Sequence, residues 1–162
     1  MPKRILFVCL GNICRSPSAE AVMNALIKQH GLEDQIYCDS AGILDYHAGE
    51  PADPRMQLHA NRLGYNLNSI SRQVNPKEDF DKFDMILGMD EQNIKDLRSL
   101  ARTDDDLRKI YHITDYCREK NYDRIPDPYM GKGKGFELVL DILEDACKGL
   151  LDYLKNGFVK TV

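Results

Sequence analysis

The sequence has no surplus of positive charge, no apolar run of membrane-spanning length, and no cysteine pattern from which a disulfide scaffold could be built. Its formal net charge is -4 at pH 7, which removes the basic footprint that nucleic-acid binding requires. No stretch approaches the ~20 apolar residues of a transmembrane helix, and the N-terminus lacks the apolar core and cleavage site of a secretory signal. The expected location is therefore cytoplasmic, with neither nucleic acid nor membrane as a partner. Cys9, Cys14, Cys38, Cys117 and Cys147 make an odd and scattered set, expected to be free thiols in a reducing compartment. The C-x-x-C pair of a zinc site is missing, and His30, His47, His59 and His112 lie far apart along the chain. No metal or cofactor is expected from such a pattern. Internal repeats, low-complexity tracts and an interdomain linker are missing too, so residues 1–162 read as one domain.

What is present alternates between strand and helix. "RILFVC" is an almost continuous apolar run, as in a strand covered on both faces. A helix is expected from about Pro17 to His30, with Ser16 as N-cap, Pro17 at the first helical position and Gly31 as the stop. "QIYCDSAG" reads as a second strand, "DPRMQLHANRLG" as a helix closed by Gly64, and "NPKEDFDKF" as a short helix leading to a strand in "FDMILGM". "DEQNIKDLRSLA" is amphipathic, "TDDDLRK" reads as a solvated helix start, and "RKIYHI" as a short strand. Phe136, Val139, Leu140, Leu143, Ala146, Cys147, Leu150, Leu151 and Leu154 recur at three- and four-residue steps, the apolar face of one long helix. The expected fold is an α/β three-layer sandwich: a central parallel sheet with helices on both faces.

In such a sheet, ligands sit beyond the carboxyl ends of the strands, and "VCLGNICRSP" occupies that place between the first strand and the first helix. Its amides, from Leu10, Gly11, Asn12, Ile13 and Cys14 onward, can curl around an anion at a helix N-terminus. Gly11 and Asn12 tolerate the backbone conformations that such a curl demands. The lysine and glycine spacing of a nucleotide P-loop are absent. In their place stand a thiol, Cys9, and a guanidinium, Arg15. Amides and a nearby cation acidify a thiol, Ser16 can donate to the sulfur, and the planar fork of Arg15 grips two phosphate oxygens at once. A nucleophile aimed at phosphorus also needs a proton donor for the leaving oxygen. Asp127, in "IPDPYMGKGKG" beside Tyr129, is the candidate.

Together these stretches resemble the low-molecular-weight protein tyrosine phosphatases over essentially the whole chain. "VCLGNICRSP" is similar to that family's signature loop and "DPY" to its acid loop, with "DSAG", "DPR", "RQV" and "MDEQN" in matching places. The resemblance implies that Cys9 is the nucleophile, Arg15 the phosphate clamp and Asp127 the general acid. It implies that Asn12, Ser16 and Ser40 shape and hydrogen-bond the loop, and that Tyr46 and Tyr129 line the mouth. The implied substrates are phosphotyrosine-containing proteins, with a cognate tyrosine kinase as a further partner and inorganic phosphate as product. Two positions depart from the family pattern: Ser69 stands where a histidine is common, and Met130 where many members have a second tyrosine. Alternatives are phosphoarginine hydrolysis on the same fold, arsenate reduction, a silent phosphopeptide-binding module and a purely structural or interaction protein, which would need none of this loop. Ile13 suits a phenyl ring better than phosphoarginine, and the lack of cysteine between Ile70 and Asp106 disfavours arsenate reduction. Intact Cys9, Arg15 and Asp127 disfavour a binding module, which needs neither thiol nor acid. Cys14, five residues beyond Cys9 in the same loop, is placed to form a protective disulfide with it on oxidation.

Overall fold

Strand β1 (Lys3–Cys9) runs through the middle of the protein, and its alternating side chains feed two separate cores. Ile5, Phe7 and Cys9 point to one face and Leu6 and Val8 to the other, as the two-residue period of a strand dictates. In this computed structural model, residues 2–128 and 134–159 are described. Strands β2 (Ile36–Gly42), β3 (Met85–Gly88) and β4 (Ile110–His112) complete a four-stranded sheet of order β2-β1-β3-β4, with every pair parallel. Cys9 pairs with Gly42 at the carboxyl edge.

Helices α1 (Arg15–Gln29), α2 (Pro54–Arg62) and α6 (Lys134–Val159) pack on the Phe7 face. Helices α3 (Pro76–Lys82) and α4 (Glu91–Leu100) supply Phe80 and Leu97 to the Leu6 face. The expected stripe on α6 is realised: Phe136, Val139, Leu140, Leu143, Ala146, Cys147, Leu150, Leu151 and Leu154 are all buried. Each phenylalanine, valine or leucine among them contributes about 1.5–3 kcal/mol when removed from water. Among the described residues no helix is long and apolar enough to cross a membrane.

Two expectations need correction. Helix α1 begins at Arg15, two residues before Pro17, so Cys14 rather than Ser16 is the N-cap, and no side chain caps it. The amides of the first turn are thereby left for an external acceptor, since the leading N–H groups of a helix have no partner within it. The acidic start of α5 (Asp104–Arg108) is not wholly solvated either. Asp106 is buried, its carboxylate accepting from the Arg102 amide at 2.9 Å and from Arg102 Nε at 2.9 Å.

Candidate active site

The loop after β1 is built around Asn12, which sits in the left-handed region at φ 58. A non-glycine residue there is strained by roughly 1–2 kcal/mol, and the surroundings hold it by both ends of its amide. Asn12 Oδ1 accepts from the Arg72 amide at 3.0 Å, and Asn12 Nδ2 donates to Ser16 Oγ at 2.8 Å. With Asn12 so fixed, its own backbone N–H points at Cys9 Sγ, 3.3 Å away. Ser16 Oγ lies 3.0 Å from the same sulfur and 3.4 Å from the Ala41 carbonyl. That hydroxyl accepts from Asn12; with Cys9 ionised the sulfur could only accept, and Ser16 would donate to it. Ser71 Oγ braces the loop from outside by donating to the Gly11 carbonyl at 3.0 Å. Room for this close packing comes from Gly42, where a Cβ would lie 3.1 Å from both the Asn12 amide nitrogen and the Gly11 carbonyl carbon.

Arg15 is buried under the same loop, its guanidinium held by two elements that the sequence leaves far apart. Its Nη1 donates to Asp90 Oδ2 at 2.6 Å and to the Ile125 carbonyl at 3.0 Å. Asp90 does this while capping α4, its other oxygen accepting from the Asn93 amide at 2.8 Å. Nη2 of Arg15 faces Asp127 Oδ2 at 3.6 Å. Burial alone would lower the Arg15 pKa, but the neighbouring Cys9, Asp90 and Asp127 outweigh it and push the pKa up, so the guanidinium stays charged. Cys14 differs: burial, then Asp53, Cys9 and Asp127, raise its pKa well above the usual thiol range, so it stands as a protonated thiol.

Above the sulfur opens a cavity of about 310 Å³. Of the residues expected there, Leu10, Gly11, Ile13, Cys14 and Tyr46 line it together with Cys9, Arg15 and Asp127. Asn12 and Ser16 stand behind the sulfur. Ser40, on β2 opposite Phe7, donates to Glu20 Oε1 at 2.6 Å. Ser69 also hydrogen-bonds Glu20, whose pKa burial raises despite these two hydroxyls. Tyr129 and Met130 fall outside the described residues. Leu44 and His47 also line the cavity. His47 is fixed by Glu50 Oε2 at 2.6 Å and lies edge-on to Tyr46. These two and Ser71 carry no motif of their own, whereas Arg72 stands in "RQV" and Asp90 in "MDEQN", segments that assign neither residue a role.

A small apolar-walled cleft thus ends in a sulfur, an amide curl and a fixed cation, with a half-exposed carboxylate at its lip. Comparison with known proteins bears on this arrangement. The family profile described as low molecular weight phosphotyrosine protein phosphatase matches residues 4–160. A Gallus gallus protein named low molecular weight phosphotyrosine protein phosphatase is 42% identical over 151 residues, covering 93% of this chain and 94% of its own length. The crystal structure of a protein tyrosine phosphatase from Entamoeba histolytica superposes with a TM-score of 0.92 at 46% identity, covering 96% of this chain and 98% of that one. A Drosophila arginine phosphatase superposes with a TM-score of 0.86 at 32% identity, over 93% of this chain and 97% of its own. On sequence and fold together, this chain belongs to the low-molecular-weight phosphotyrosine protein phosphatase family.

Proposed function

We propose that the protein hydrolyses phosphotyrosine monoesters of proteins through a phosphocysteine intermediate, without metal. The observation that carries this reading is the placement of one sulfur against an amide and a hydroxyl beside a buried guanidinium, with Asp127 within 3.6 Å of that guanidinium. Cys9, as the thiolate, attacks phosphorus in line while Arg15 and the loop amides hold the equatorial oxygens. The bond from phosphorus to the phenolic oxygen breaks, and that oxygen takes the proton of Asp127. Water then attacks the phosphocysteine, giving its proton to Asp127. The sulfur–phosphorus bond breaks, and orthophosphate and the thiolate are regenerated. Arg15 and the amides supply the positive charge that a metal would otherwise supply. The partners on this reading are phosphotyrosine-bearing proteins and the tyrosine kinase that makes them.

The test pairs two variants. Cys9→Ser keeps the cradle and should retain phosphate binding, but its rate on p-nitrophenyl phosphate should fall to near background. A rate within tenfold of wild type would refute the thiolate mechanism. Asp127→Ala should lose kcat/KM mainly on aryl esters with poor leaving groups, since general acid catalysis is worth ~10²–10⁴-fold and a good leaving group needs little of it. A chelator should leave wild-type turnover unchanged.

A second reading, phosphoarginine hydrolysis, is raised by the Drosophila neighbour of the same fold. The wall of the cleft supports phosphotyrosine, because Ile13, Leu10 and Leu44 present apolar surface to a ring. Initial rates on the two phosphopeptides separate the readings. Ile13→Thr should shift the ratio away from phosphotyrosine by the equivalent of ~1–3 kcal/mol.

A further inference from the structure

We propose that Arg55 is a positioning residue for Asp127, acting through Phe136; the inference rests on the acid role proposed for Asp127. The contacts start at the phosphate loop. The Asp53 amide donates to the Ile13 carbonyl at 2.9 Å, which ties the start of α2 to the loop that holds Cys9. Asp53 caps α2 by accepting from the Arg55 amide at 2.8 Å and binds the Arg55 side chain through Nε at 3.1 Å and Nη2 at 2.9 Å. A guanidinium held at two points by one carboxylate keeps one plane and one direction. That direction carries it over the ring of Phe136, 5.0 Å from the centroid. The same ring also stacks on His59, one turn along α2, at 5.5 Å with an interplanar angle of 11°.

Phe136 is buried in the first turn of α6, next to Gly135. A Cβ at Gly135 would lie 3.5 Å from Pro128 Cβ, so the backbone of the first turn of α6 runs close beside the residue that follows Asp127, with room for about one carbon between them. Pro128 fixes its own φ, and Asp127 precedes it in the chain, facing Arg15. The contacts therefore form a closed ring: Ile13, Asp53, Arg55, Phe136, Pro128, Asp127, and through Arg15 back to the phosphate loop. The joins are covalent bonds, hydrogen bonds, an ion pair and a ring contact, except at Gly135, where Phe136 connects to Pro128 only by the close approach of the helix backbone. Arg55 is the part that sets the distance between phosphate loop and acid. A proton donor displaced by a fraction of an ångström loses much of its effect, whereas attack by Cys9 and the grip of Arg15 do not depend on that donor.

The experiment measures kcat/KM, which covers the steps through departure of the leaving group, on phenyl phosphate and on p-nitrophenyl phosphate. Arg55→Ala should lower the phenyl phosphate value roughly tenfold more than the p-nitrophenyl phosphate value. Phe136→Leu, which keeps the core filled but removes the ring face, should do the same to a smaller extent. Arg55→Lys, which keeps a cation but not the fork, should lie between wild type and Arg55→Ala. In the Asp127→Ala background, adding Arg55→Ala should produce no further selective loss. Equal losses on both esters, in Arg55→Ala or, should that variant fail to fold, in Phe136→Leu, would show a purely structural role and overturn the proposal. So would a selective loss that persists undiminished in the Asp127→Ala background. If Asp127→Ala itself showed no leaving-group selectivity, the acid assignment would fall first, and this inference with it. Selectivity in Asp127→Ala without selectivity in the Arg55 and Phe136 variants would overturn this inference alone.

Discussion

Cys9 and Cys14 are chemically alike and share one loop, yet their surroundings set them apart. Cys9 has an amide and a hydroxyl directed at its sulfur, whereas Cys14 is buried with acids nearby that hold it as a thiol. Oxidation should therefore strike Cys9 first, and condensation of its sulfenic acid with the Cys14 thiol would release water and leave a reducible disulfide. After peroxide, wild type should recover most of its activity on adding dithiothreitol and Cys14→Ser much less. Equal recovery, with no crosslinked peptide by mass spectrometry, would leave Cys14 as packing. Asp90 separates two roles in the same way, one oxygen on Arg15 and the other on the amide of Asn93. Asp90→Asn keeps an acceptor for the cap but not the charge. Its melting temperature should stay near wild type while kcat/KM falls, on the order of tenfold. Asp90→Ala should in addition lose about 1 kcal/mol of stability with the cap. Thermal melts beside steady-state kinetics distinguish the two effects. Cys9, Arg15 and Asp127 were legible because their side chains announce their chemistry. The roles of Asp90, Ser71 and Arg72 were not, although "MDEQN" and "RQV" stood out as segments, because they lie in what these residues touch across some sixty or more residues of chain.

Elements meet here through glycines as much as through apolar stripes. The stripe on α6 could be read from its spacing, but the closeness of that helix to the short 3-10 helix Ile113–Tyr116 could not. At Gly149 a Cβ would overlap the Tyr116 carbonyl oxygen and lie 2.9 Å from its carbon, so backbone rather than a flexible side chain stands in the way. Gly149→Ala should therefore cost about 3 kcal/mol despite the better helix propensity of alanine. Urea unfolding checks this, and an unchanged or raised midpoint would disprove the contact. The same neighbourhood explains Asp145, whose carboxylate accepts from the amides of Arg118, Glu119 and Lys120. Those three donors outweigh burial and hold its pKa down. The start of α1 is hidden from local pattern for a related reason. Ser16 followed by Pro17 looks like a helix start, but Ser16 is engaged with Cys9 and Asn12, so the helix begins at Arg15 without a side-chain cap.

For the whole molecule, acid sensitivity should concentrate in a few carboxylates tied to donors. The side-chain hydrogen bond from Arg102 is the main reason the Asp106 pKa falls to about 2. In the unfolded chain the same group titrates near 3.9, so between those values the unfolded chain binds more protons than the folded one. Its contribution is fully present above about pH 4 and is lost as the pH drops toward 2. Asp106→Asn should flatten the stability curve in that window and leave the curve above pH 5 merely lower. A fall in stability of equal steepness in variant and wild type between pH 4 and 2 would place the sensitivity elsewhere.

The sequence by itself determined the alternation of strand and helix, the apolar face of the last helix and the place of an anion cradle after the first strand. These are local matters of side-chain period, turn chemistry and residue type. It also determined which thiol, guanidinium and carboxylate are the candidates for chemistry. Only the tertiary structure decided that Asp90 and the Ile125 carbonyl hold Arg15, that Ser71 and Arg72 brace the loop, that Ser40 turns to Glu20, and that Arg55 reaches Phe136. Each of those contacts is a partnership between elements distant in the chain. Direction and distance between such elements are set by how the sheet and helices pack, and no local pattern encodes them.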